Sequence, residues 1–136
     1  MGQQQLLLII LGVIVVGIAV AVGITMFQDN AVSANRDAVT NDLVNLAARA
    51  QQHYRRPTAL GGGQGSFTAS GGGTAISNIN QLTSKPTNSN GVYTLGAVAA
   101  TSVVITGTGT EKGTDGNSIK VVMTVFSDST SVAFSN

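Results

Sequence analysis

The sequence predicts an α+β fold: a long N-terminal helix packed through its C-terminal half on a four-stranded antiparallel β-meander. Three observations carry this reading. Residues 1–28 hold no charged side chain. Residues 29–55 repeat apolar side chains at helical spacing. Residues 91–136 alternate at period two between turn signals. The chain therefore divides into an apolar N-terminal helix (1–28) and a globular part (29–136) made of an amphipathic helix half, a connection over 56–90 and the meander.

Leu6 to Ile24 is a run of nineteen residues with no charge and no strong hydrogen-bonding side chain. At about 1.5 Å per residue, such a helix matches the hydrocarbon core of a bilayer. Val32, Val39, Leu43, Leu46 and Ala50 follow at spacings of seven, four, three and four, which places them on one helix face. That stripe is the expected cover for the sheet, while Asp29, Arg36, Asp37, Asp42 and Arg49 fall largely elsewhere around the helix. No proline separates the two halves, so one helix is expected from the N-terminus to about Tyr54, ended by Pro57 and the GGGQG run at Gly61 to Gly65. A helix of that length measures about 80 Å, and its first half must project from the globular part.

The segments GVYTLGAV, SVVITGTG, SIKVVMTVFS and SVAFS read as strands, and the Asp-Gly in TEKGTDGN is a hairpin signal. Short turns between all four imply a meander. Residues 56–90 hold few large apolar side chains and read as a surface connection with one short helical turn near Ile76 to Leu82.

Composition narrows the function. The net charge is +1, with 10% of residues charged. The sole basic cluster, Arg55-Arg56 beside His53, is too small to track a phosphate backbone, so no nucleic acid partner is expected. There is no cysteine and a single histidine, too few donors for a zinc site. His53 and its arginines suit a helix C-terminus on electrostatic grounds. Glu111, Asp115 and Asn117 share a loop with weak calcium potential, but a hairpin turn explains them equally and the calcium-loop pattern is missing. The glycine runs at 61–65 and 71–73 lack the lysine of a phosphate loop. No Ser–His–Asp set can be assembled. These features argue against an enzyme, a cofactor and a metal centre, and the neutral, hydroxyl-rich second half suits packing against copies of itself.

The opening run does not fit a removable secretion signal, which needs basic residues before a shorter apolar core. AVSA at Ala31 to Ala34 resembles a cleavage site but lies inside the amphipathic pattern. Myristoylation after Met-Gly is disfavoured because Leu6 stands where that pattern takes Ser or Thr.

An apolar N-terminal helix without basic flanks, continuing into an amphipathic half over a four-stranded sheet, resembles a type IV pilin or pseudopilin. The resemblance covers the whole chain in architecture, and in sequence it rests on the N-terminal helix. It implies an extracellular filament of identical subunits, anchored in the inner membrane before assembly and served by a prepilin peptidase and the pilus assembly machinery. It further implies methylation of the new N-terminal amine, here that of Met1, and a filament core built from Met1, Gln5, Leu6, Ile9, Ile10, Val13, Val16, Gly17, Val20 and Gly23. Two family features differ. The family's fifth mature residue is usually glutamate, where this chain has Gln5 if Met1 is the mature start. Cleavage after Gly2 would put Leu7 there, a poorer match. The family's proline in the apolar stretch is also absent, which leaves Gly17 to Gly23 as the stretch where the helix would loosen. Against loosening stands the cost of unsatisfied backbone groups in an apolar core. Archaeal-type pilins lack the glutamate as well, so that alternative stays open; their globular parts tend to be β-sandwiches, and a single meander after a long helix suits the bacterial form better. The alternatives are a minor pilin or secretion pseudopilin, and a membrane-anchored monomeric binding module.

Overall fold

A computed structural model describes residues 2–69 and 71–135. Helix α1 spans Gly2–Arg55, and strands β1 (Gly91–Val98), β2 (Ser102–Lys112), β3 (Ser118–Phe126) and β4 (Thr130–Ser135) follow it. The strands pair antiparallel in chain order, so the α+β architecture and the meander are those expected from the sequence.

α1 is unbroken through Gly12, Gly17 and Gly23. The loosening considered for Gly17 to Gly23 does not occur. Without a proline every residue keeps its amide, and the intrahelical ladder is the one way to satisfy backbone groups among apolar side chains.

The core lies between the second half of α1 and one face of β2 and β3. Val39, Leu43, Leu46 and Ala50 are buried as expected, joined by Ala47. Val103 and Ile105 of β2 and Ile119, Val121, Met123 and Val125 of β3 alternate inward to meet them, following the strand period. Where the helix lies closest, β2 presents glycine. A Cβ on Gly107 would come within 2.6 Å of Val39 Cγ1 and 3.3 Å of Leu43 Cδ1, and one on Gly109 would collide with Asn35 and Ile119. Val32 does not reach this core. It is half-buried about two turns nearer the N-terminus, beside the end of β2 at Thr110 to Lys112.

The connection over 56–90 is not a plain surface loop. Phe67, Ile76, Ile79 and Leu82 are buried in the core, and Phe67 packs on Tyr54 with ring centroids 4.8 Å apart. Phe67 stands alone, and the three-residue spacing of Ile76, Ile79 and Leu82 marks a short helical turn without showing that it packs inward. Short 3-10 turns form at Thr58–Leu60 and Ile79–Gln81, the second capped reciprocally by Asn78 and Gln81. Gly62 and Gly63 are buried against the end of α1, where a Cβ on either would strike the backbone of Arg56 or Ser66. The middle of the glycine run is thus a close-packing element, while Gly61 and Gly65 serve positive-φ turns.

Candidate assembly surface

From Leu6 to Phe27 every large apolar side chain of α1 is between 51% and 78% exposed, on all sides of the helix. Gln5, Leu6, Ile9, Ile10, Val13, Val16, Gly17 and Val20 are all exposed, and Gly23 is half-buried. Together they form one continuous apolar cylinder, with a mean hydropathy of 3.2 in its richest 18-residue window and none of that window buried. The length and composition suffice for a membrane anchor or a signal sequence. Met1, expected to carry the methylated amine, lies outside the described residues. The first charge after it is Asp29, so no carboxylate accompanies Gln5 along the cylinder.

The cylinder ends at an open groove. Phe27, Gln28, Ala31 and Val32 form one wall and Thr110 to Gly113 of the β2–β3 hairpin the other, enclosing about 680 Å³. Phe27 is the most exposed large apolar residue of the helix, at 78%. Val32, expected under the sheet, belongs to this groove.

The polar side of α1 does more than face water. Asp42 Oδ2 accepts hydrogen bonds from Asn88 Nδ2 (2.9 Å), Asn90 Nδ2 (2.8 Å) and Tyr93 Oη (2.5 Å). These donors outweigh the opposing effect of burial and hold the carboxyl below its usual range. Burial, reinforced by the facing carboxylate, pushes the Tyr93 phenol well above its ordinary value. Arg49 Nη1 donates to Leu82 O at 2.8 Å, and Asn35 Nδ2 donates to Asn90 O at 2.8 Å. The helix is therefore laced to residues 82–93 by side chains whose partners lie 33 to 55 positions away. No local signal in the sequence announces such pairs.

His53 is buried, and neither ring nitrogen has a hydrogen-bond partner. Burial, then the nearby Arg56 charge, lowers its pKa and keeps the ring neutral. Among the described residues no group of three or more His, Cys, Asp or Glu is placed to hold a metal ion. Asp115 turns both carboxylate oxygens to Asn117, at 3.0 and 3.1 Å, which is the hairpin-turn use of that loop. The exposed helix, not a cleft with convergent chemistry, is the functional candidate. Comparison with family models, with curated proteins and with solved structures returns no match.

Proposed function

We propose that this chain is a structural subunit of a helical, type IV pilin-like filament, held in a membrane by the first half of α1 and then packed through it against identical subunits. The observation that carries this reading is the apolar cylinder from Leu6 to Phe27, exposed on every side. A helix apolar all round is stable in lipid or inside a bundle, but not in water. A filament of parallel copies supplies the second environment without changing the helix. Gly12, Gly17 and Gly23 have nothing within 4 Å of a built Cβ, which leaves room for a neighbouring helix to approach. In such a core Gln5 accepts a hydrogen bond from a neighbour's N-terminal amine, a neutral counterpart of the family's glutamate. The role is structural, with no catalytic step, cofactor or nucleic acid.

Electron microscopy of the purified full chain tests the proposal. Filaments are expected from the native sequence, and Val15→Asp should abolish them while circular dichroism still reports the folded sheet. Normal filaments from Val15→Asp would overturn it. Mass spectrometry of the N-terminal peptide adds a second check: a methylated Met1 is expected, and a formyl-Met or unmodified Met terminus argues against prepilin-type processing. A monomeric membrane-anchored module is the competing reading, favoured by the sufficiency of a single span. It predicts dispersed particles under the same conditions.

A further inference from the structure

The two edges of the sheet differ. Along β1, Tyr93 N donates to Pro86 O, Asn88 N donates to Gly91 O, and Thr87 bridges Val92, so the preceding loop covers the first three residues of this edge. Strand β4 pairs with β3 alone, and its six residues are all exposed. Its sequence, TSVAFS, has no charge and no proline, and the β3–β4 pairing has no bulge. The usual protections of a free edge are thus missing.

The direction of the free backbone groups follows from the hairpin. Phe126 N donates to Ser129 O across the β3–β4 turn, which makes these two residues a hydrogen-bonded pair. Antiparallel pairs alternate, so Ser131, Ala133 and Ser135 turn their amides and carbonyls to β3. Thr130, Val132 and Phe134 turn theirs outward. Among the described residues none of these three has a backbone partner beyond its own sheet. Their side chains lie on the helix side, opposite Val125, Met123 and Val121. Val132 is 37% exposed and Phe134 56%, although Arg36 stacks over the Phe134 ring.

We propose that β4 pairs antiparallel with β4 of a second copy of this chain, about a two-fold axis at Ala133. This register is self-complementary in both hydrogen bonding and packing. Val132 faces the partner's Phe134 and Phe134 faces its Val132. These are the residues with outward amides and carbonyls, and the two pairs exchange about four hydrogen bonds. Each Phe134 ring covers a Val132 of the other chain, and the uncharged edge meets itself without repulsion. A six-residue edge buries less than the roughly 1,200 Å² of a stable interface, so a single pair is weak and gains strength only in arrays. The axis stands normal to the sheet and reverses the direction of α1. Subunits joined this way have anchors pointing opposite ways, as in neighbouring antiparallel filaments or facing membranes. The contact is therefore lateral, separate from the one that builds a filament of parallel helices.

The chain has no cysteine, so a single introduced one reports the contact. Facing Ala133 residues form a non-hydrogen-bonded pair with Cα atoms about 4.5 Å apart, within disulfide range. The full chain carrying Ala133→Cys, in detergent micelles under mild oxidation, is expected to form disulfide dimers at least about tenfold faster than Val92→Cys, which is exposed at the loop-covered end of β1. Adding Val132→Pro removes an outward amide and leaves the β3 ladder intact, and it should abolish the difference. Val132→Lys is the parallel variant, with charge as the block. Equal rates for Ala133→Cys and Val92→Cys, or an Ala133→Cys rate unchanged by both Val132 variants, would overturn the proposal. The assay contains no filaments, so its outcome is independent of the filament reading.

Discussion

At the scale of single residues, Asp42 and His53 both make the fold sensitive to acid, in different pH ranges. Asp42 is held ionised by Asn90, Tyr93 and Asn88. Its folded pKa lies below the unfolded one, so its contribution is present above about pH 4 and is lost as acid titrates the folded carboxyl. Melting temperatures between pH 2 and 6 should show this fall in the native chain and a flatter profile in Asp42→Asn. Tyr93→Phe should cost about 1.5–3 kcal/mol at neutral pH, read from denaturant midpoints, because it deletes one hydrogen bond to the ionised carboxylate. His53 is a base with a depressed folded pKa. Stability is full above about pH 6.5 and declines as pH falls through the interval down to the folded value. His53→Leu should remove that decline without loss at pH 7.5, since neither ring nitrogen has a partner to lose. A persistent decline in His53→Leu would place the titrating group elsewhere.

At the scale of elements, glycine has two distinct uses. In β2, Gly107 lets α1 lie against the sheet, with Val39, Leu43 and Tyr93 crowding the place of a side chain. Gly107→Ala should destabilise the fold by about 1–3 kcal/mol through overpacking, measured by urea unfolding in micelles. In α1, Gly12, Gly17 and Gly23 meet nothing within 4 Å, so the isolated chain tolerates alanine at each. Circular dichroism in micelles should show helix content unchanged or raised in the triple alanine variant. If the three glycines serve close helix approach in a filament, the same variant should yield few filaments. Normal filaments would assign them no packing role.

At the scale of the whole molecule, if the chain assembles as proposed, a filament held by an uncharged cylinder should respond to solvents that act on apolar contact. Salt screens charges and leaves apolar association intact. With 10% of residues charged, filaments are expected to persist in 1 M sodium chloride and to dissolve in detergent, as followed by sedimentation and microscopy. Dissolution by salt alone would shift the principal contact to the globular parts.

Much of the fold was determined by local pattern. The 3.6-residue spacing of Val39, Leu43, Leu46 and Ala50 marks the buried helix face, and alternation over 91–135 marks four strands within two or three residues of their ends. Both signals repeat along the chain and survive without knowledge of distant partners. The apolar cylinder was equally legible, because nothing interrupts its composition. The tertiary structure alone decided the rest. Phe67, Ile76, Ile79 and Leu82 enter the core from a segment too short in pattern to show which way it faces. Asp42 finds Asn88, Asn90 and Tyr93 about fifty residues away, and Val32 lines the groove at the end of β2 instead of entering the core. The bareness of the β4 edge depends on which strand ends the sheet and which loop covers the other side. Such outcomes depend on where chain segments meet in space, and sequence spacing encodes only what lies within a few turns or strands of itself.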